Sequence, residues 1–104
     1  MNMKVSHLFR THAICPFVTH KRVWDYYTVE VTLNRVVDVH KIEEVISDNA
    51  GLPLSQEALG HLLAVKLKVF GPMTVEVDGG HSATSDTLVR FEITPDGDFS
   101  DEVH

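Results

Sequence analysis

Two stretches of the chain alternate strictly between apolar and polar residues, and this alternation limits the folds available to it. The apolar positions of the two stretches are Tyr27, Val29, Val31, Leu33, Met73, Val75 and Val77. A period of two places every second side chain on the same face of a β-strand. Each stretch therefore predicts a strand with one buried face, and a sheet built from such strands needs a cover on one side.

Two helices are predicted between these strands. Asp38 and Ser55 are suitable N-terminal caps for helices with apolar faces, and Gly71-Pro72 ends the second helix. Residues 3–10 and 88–93 fit strands at the two ends of the pattern. The predicted fold class is therefore α+β, an antiparallel sheet in the order ββααββ with two helices packed on one face.

The size of the chain predicts one domain. Its 104 residues are 43% apolar and 23% charged, which suits one globular core. We predict a single domain over residues 1–94 and a mobile acidic tail over residues 95–104, which are rich in turn residues. Four strands leave both sheet edges exposed, and an exposed edge favours pairing with another chain, so we predict a homo-oligomer.

Charge and apolar content exclude some classes of partner. The net charge of −6 gives no basic surface for nucleic acid, so we predict no nucleic-acid partner. Because no apolar run approaches the ~20 residues that span a bilayer, we predict no membrane partner. The start Met1-Asn2-Met3-Lys4 does not resemble a signal peptide, and a single cysteine cannot form an internal disulfide. The cytoplasm is therefore the predicted compartment.

The start of the second predicted helix carries a carboxylate, Glu57. It falls in the first turn, where the helix dipole favours a negative charge. Its two oxygens can accept a pair of N–H donors from a ligand. The alternative is a glutamate that serves only the helix dipole.

The element order and three local motifs resemble the tunnelling-fold superfamily. That group includes 6-pyruvoyl-tetrahydropterin synthase, GTP cyclohydrolase, dihydroneopterin aldolase and 7-cyano-7-deazaguanine reductase. The segment Pro53-Leu54-Ser55-Gln56-Glu57 is similar to the synthase segment that anchors the pterin ring, and Gln56-Glu57 is similar to the Gln-Glu pair of the cyclohydrolases. The resemblance implies that Glu57, with Gln56, binds the N–H edge of a small-molecule heterocycle, a pterin or a guanine-like ring. It also implies active sites between subunits.

The second motif is Ile14-Cys15-Pro16-Phe17 with Asp25, which resembles the Cys-Pro segment of the deazaguanine reductases. The resemblance implies that Cys15 is a nucleophile, and positive charge in the run His20-Lys21-Arg22 would activate it. The alternative is a small buried core residue. Val36–Lys41 stands where the reductases carry their cofactor motif, so that motif is missing and does not support nicotinamide-dependent reduction.

The third motif, Thr74–Ser82, is similar to the cyclohydrolase strand that runs into a histidine, here His81. His20 and His81 are the histidines that we predict to act in catalysis beside Cys15. His12, His20 and His81 form a candidate zinc set, because imidazole is a common zinc ligand. Their spacing matches no compact zinc motif, and surface or hydrogen-bonded histidines are the alternative.

Two functions from different classes remain open. The first is a small oligomeric enzyme of pterin, folate or deazapurine metabolism, in which Glu57 holds the ring and Cys15 or a histidine does the chemistry. The second is a non-catalytic homo-oligomeric module of the same fold, for ligand binding or assembly, that has lost the metal and cofactor motifs. Glu57 and Cys15 favour the first function, and the missing motif residues favour the second.

Overall fold

Five strands form one antiparallel sheet in the computed structural model, which describes residues 3–80 and 87–103. The strands lie in chain order across the sheet and are β1 (Val5–Ile14), β2 (Trp24–Leu33), β3 (Met73–Gly80), β4 (Thr87–Ile93) and β5 (Phe99–Val103). Between β2 and β3 the chain forms α1 (Val39–Asp48), α2 (Gln56–Leu67) and a 3₁₀ turn (Lys68–Phe70). The predicted α+β class, with an antiparallel sheet and two helices, is confirmed.

The core lies between the sheet and the helices. The apolar positions of β2 pair in register with those of β3, as Val29 does with Val77 and Val31 with Val75. All four side chains are fully buried. Full burial of an aliphatic side chain of this size stabilises a fold by about 1.5–3 kcal/mol. The inward face that the alternation predicts for these two strands is therefore confirmed.

Both helices begin after the predicted capping residues. The Asp38 carboxylate accepts a hydrogen bond from the His40 N–H at 3.0 Å, and the Ser55 hydroxyl accepts one from the Ala58 N–H at 3.2 Å. Each bond satisfies an N–H group that has no partner within its helix. α1 packs against β1, and α2 packs against β3 and β4. No helix in the described part of the chain has the length and apolar character needed to cross a membrane.

α2 approaches β4 closely at Gly60. A Cβ atom at this position would lie 2.5 Å from Cε2 of Phe91, so the contact leaves no room for a side chain. Leu59 and Leu63 of the same helix are buried in the core. This packing fixes the distance of α2 from the sheet, and with it the position of the helix's first turn.

Residues 95–104, predicted as a mobile acidic tail, contribute the fifth strand, which the predicted order ββααββ lacks. β5 pairs with β4 from Phe99, which lies opposite Ile93. The Phe99 ring also contacts the rings of His61 and Phe91, with centroids 5.3 and 5.9 Å apart. One aromatic residue thus docks a segment whose remaining composition is acidic and turn-rich. Its backbone pairs with the edge that β4 would otherwise expose.

The connection between the two helices runs along the end of β1. The Ile14 N–H donates to the Leu52 carbonyl, and the Gly51 N–H donates to the His12 carbonyl, both at 2.9 Å. β1 therefore extends further along the chain than the sequence predicts. The extension brings Cys15 to the end of the sheet where α2 begins.

Candidate functional site

Polar side chains are buried on the helix-covered face at the end of the sheet near the start of α2, and Thr11, which lies opposite Tyr27 in the register, is one of them. Cys15 and Asp25 are each 2% exposed, and Tyr27 is 5% exposed. Asp25 and Tyr27 are in phase with the inward-pointing Val29 of the same strand. Asp25 lies opposite Ala13 in the sheet register. Ala13 precedes Cys15 by two residues, so the two side chains face the same side of the sheet. The strand alternation thus places a thiol, a carboxylate and a phenol on a face that is otherwise mostly apolar.

The pKa of Tyr27 indicates that these three side chains interact with a fourth, Glu57. Burial, followed by the charges of Asp25, Cys15 and Glu57, raises the pKa of Tyr27 to about 12. Cys15, Asp25, Tyr27 and Glu57 therefore form one electrostatically coupled group, which we call the polar cluster.

Glu57 is the solvent-exposed member of the polar cluster. It lies in the first turn of α2, as predicted. The cap Ser55 uses its hydroxyl on the Ala58 N–H, so the Glu57 carboxylate is not needed for that bond. A carboxylate at this position offers two acceptor oxygens at the start of α2. The site can thus meet a ligand that carries several N–H donors.

Gln56 has a structural role at the same helix turn. Its side-chain amide donates to the Val77 carbonyl at 2.8 Å and also to the Thr87 carbonyl, and the residue is 8% exposed. These two bonds tie the start of α2 to β3 and β4. Both amide hydrogens of Gln56 are engaged, so the predicted contact with a ligand could be made only by its amide oxygen.

Cys15 lies in the polar cluster, and the positive residues that the sequence places near it are exposed in the connection between β1 and β2. The Cys15 backbone N–H donates to the Val23 carbonyl at 2.7 Å, which fixes the connection between β1 and β2. His20 and Arg22 are exposed, and the Arg22 guanidinium lies 5.8 Å from the centre of the Trp24 ring. The arrangement suits Cys15 as a buried group beside acidic side chains, and its predicted role as a nucleophile remains a prediction.

The three predicted zinc ligands are not brought together by the described residues. His12 lies on the uncovered face of the sheet, where its ring meets that of Trp24 edge-on at 5.1 Å. His20 is exposed in the connection between β1 and β2, and His81 lies outside the described residues. Within 3–80 and 87–103, no three His, Cys, Asp or Glu side chains are grouped as a metal would require. Zinc binding, and catalysis by His20 and His81, stay predictions.

Asp25 and Tyr27 were not predicted from the sequence to be a buried pair. The signal was present, because Asp25 occupies an inward position of a strand whose other inward residues are apolar. A buried acid needs a hydrogen-bond donor, and the residue two positions along the same face is a tyrosine. An acid at an inward strand position is therefore a usable indicator of a site.

Comparison of the chain with models of protein families, with curated proteins and with solved structures gives no match.

Proposed function

We propose that the chain binds a flat nitrogen heterocycle of the guanine or pterin type at the polar cluster, with Glu57 as the anchor. The observation that carries the proposal is the exposed Glu57 carboxylate in the first turn of α2, whose charge acts on the buried Tyr27. The amino group and the adjacent ring N–H of such a heterocycle match the two oxygens of a carboxylate. A charge-assisted pair of this kind gives both affinity and a fixed orientation.

The rigidity of the helix start supports the proposal. Gln56 is tied to two backbone carbonyls, and Ser55 caps the first turn. Glu57 follows directly, so its backbone is held from both the sheet side and the helix side. A binding group held in this way loses little conformational freedom when the ligand arrives.

The element order supports membership of the tunnelling-fold superfamily. β1, β2, α1, α2, β3 and β4 follow one another as the resemblance implies, with β5 as an addition. In this proposal the chain is a small enzyme of pterin, folate or deazapurine metabolism. The Cys15, Asp25 and Tyr27 side chains are buried, so in this proposal they exchange protons with the ring once the site opens or assembles.

A non-catalytic binding module is the second candidate, and the burial of Cys15 favours it. A nucleophile must reach its substrate, and a side chain that is 2% exposed does so only through an opened or assembled site. Both candidate functions are compatible with a homo-oligomer that has sites between subunits, because β1 is an edge strand and can pair with another chain. A cytoplasmic location belongs to both as well.

The proposed ligand class is tested by comparing guanine and pterin with adenine in a thermal-denaturation assay. Guanine and pterin present an amino group next to a ring N–H, whereas adenine presents its amino group next to an acceptor nitrogen. We expect guanine and pterin to raise the melting temperature in a saturable way and adenine to have no effect. Equal shifts for all three compounds, or no shift for any, would contradict the proposal.

A further inference from the structure

The sheet face that the helices leave uncovered carries an aromatic group at the ends of β1 and β2. Tyr26 is 68% exposed and Trp24 is 40% exposed. The His12 ring lies between them, with its centroid 5.1 Å from that of Trp24 and 6.4 Å from that of Tyr26. We call these three residues the aromatic platform. Exposed aromatic side chains that adjoin one another offer a stacking surface for a flat ligand.

A depression adjoins the platform. Arg10, Tyr26, Thr28 and Asp78 line it from the uncovered face, and Thr11, Tyr27 and Gly79, which belong to the inward-facing rows of the same strands, also border it. Tyr26 lies opposite Gly80 in the sheet register, so the residue directly across from the tyrosine carries no side chain. Gly79 has a φ of +130°, and a Cβ there would lie 2.6 Å from the Tyr26 carbonyl oxygen, so the backbone requires glycine at this position.

Opposite charges flank the depression. Arg10 and Asp78 lie on either side of Thr28 in one row across β1, β2 and β3. Two strand spacings separate their backbones by roughly 10 Å. Both side chains are exposed, and among the described residues neither takes part in an ion pair. This row therefore presents a cation and an anion on either side of Thr28.

The charges of this face argue against a second copy as its occupant. Glu30 lies directly opposite Glu76 in the register, and Glu92 lies on the same face. The Arg90 side chain approaches Glu76 at 3.5 Å and offsets part of this charge. Packing two such faces together would bring carboxylates against carboxylates. A small molecule with charges of both signs avoids that repulsion.

We propose that the depression binds a zwitterionic aromatic small molecule of the class of aromatic α-amino acids. The ligand ring stacks on the aromatic platform at Tyr26. The ligand carboxylate pairs with the Arg10 guanidinium, whose long side chain can reach toward Thr28, and the ligand ammonium pairs with Asp78. The side chains that hold this ligand lie on the opposite face of the sheet from the polar cluster, although Tyr27 also borders the depression, and the proposal does not depend on the function proposed above.

The test uses the fluorescence of Trp24, which is the single tryptophan of the chain. L-phenylalanine, which is transparent where tryptophan is excited, is titrated into the full-length protein. We expect a saturable change in emission. Arg10→Gln and Asp78→Asn should each weaken binding by about tenfold or more, because each removes a charge-assisted contact. Glu92→Gln is the matched control on the same face and should bind as the unmodified protein does.

A ligand series in the unmodified protein gives a test that does not depend on variants folding. 3-Phenylpropionate lacks the ammonium group, phenethylamine lacks the carboxylate, and leucine lacks the ring, so each should bind about tenfold more weakly than phenylalanine. Equal affinity for these compounds, the absence of saturation, or unchanged binding in both charge variants would overturn the proposal. A dimer that Tyr26→Ala dissociates would also overturn it, because a second copy would then occupy the face. Glu57→Gln should leave phenylalanine binding intact, which separates this result from the polar cluster.

Discussion

The Asp25 carboxylate acts on the Tyr27 phenol, two residues further along the same face of β2, and helps to keep that phenol protonated. Both residues are buried beneath the helices, so water screens this interaction only weakly. Glu57 and Cys15 add further negative potential at the phenol. Asp25 and Tyr27 make this end of the helix-covered face polar. The pKa of Tyr27 responds to every other member of the polar cluster.

The titration of Tyr27 should make stability depend on pH at the alkaline end. Burial and the neighbouring acids raise the pKa of Tyr27 from the ordinary 10.0 to about 12. The folded state therefore holds this proton more tightly than the unfolded state does. Its contribution to stability is complete below pH 10 and is lost as the pH rises through about 12.

Urea denaturation at a series of alkaline pH values checks this dependence. The unfolding free energy should fall across that interval, and Tyr27→Phe should remove this part of the fall. Tyr26→Phe is the matched control, because the chain has two tyrosines and Tyr26 lies exposed on the other face. A pH dependence that persists unchanged in Tyr27→Phe would contradict the assignment.

Cys15 should be protected from alkylation in the folded chain. Its side chain is 2% exposed, and a reagent such as iodoacetamide reaches only an accessible thiol. We expect slow labelling in the native protein and full labelling in urea, followed by mass spectrometry. A Cys15→Ala chain that also carries Phe17→Cys provides an accessible reference, because Phe17 is 75% exposed.

The outcome of the alkylation experiment also bears on catalysis. Slow native labelling would favour the non-catalytic binding module, because the thiol would not be open to a substrate. Rapid labelling that guanine or pterin prevents would contradict the expected protection and would favour Cys15 as a nucleophile.

Gln56 should stabilise the fold through its two bonds to backbone carbonyls. Gln56→Leu removes both bonds and leaves the buried carbonyls of Val77 and Thr87 without this donor, which should cost about 1–3 kcal/mol of unfolding free energy. Gln56→Glu should be worse at neutral pH, because a carboxylate would face two acceptors, and it should recover in part at acidic pH. Urea midpoints measure both effects. Glu57→Gln, on the neighbouring exposed side chain, should change the midpoint little, and a loss equal to that of Gln56→Leu would contradict this division of roles.

Gly60→Ala should destabilise the protein although alanine is the better helix former. The new Cβ would lie 2.5 Å from the Phe91 ring, and forced overpacking costs about 1–3 kcal/mol, more than the ~1 kcal/mol gained in helix propensity. In a Phe91→Leu background the clash is relieved, so the same change should be neutral or stabilising. A double-mutant cycle in urea measures the coupling, and additive effects would show that the contact is not the cause.

The parts of the fold that local patterns specify could be predicted from the sequence. The alternation of β2 and β3 gave the correct inward faces, and the caps Asp38 and Ser55 form the expected bonds. β5 was missed because one half-buried ring, Phe99, docks a segment of otherwise acidic and turn-forming composition. Pairing with a distant strand decides such a case, and local composition does not reveal it.

The membership of the polar cluster could be predicted only in part, because the register of long-range pairs decides it. β1 continues past the position where its apolar pattern fades, since the connection between the helices pairs with Ile14. His12 and Cys15 are an odd number of positions apart on this extended segment, so their side chains lie on different faces of the sheet. Glu57 could be placed in its helix turn from the sequence, but its proximity to Tyr27 depends on how α2 packs on the sheet.

Calorimetric titration of guanine or pterin into Glu57 variants tests the proposed function most directly. If Glu57 anchors the ring, Glu57→Ala and Glu57→Gln should weaken binding by about 1.5–3 kcal/mol, roughly ten- to a hundredfold, while the urea midpoint stays near that of the unmodified protein. Glu44→Gln changes an exposed glutamate of α1 and should bind with unchanged affinity. Affinity that is the same in both Glu57 variants as in the unmodified protein would contradict the account and place any ring-binding site elsewhere on the chain.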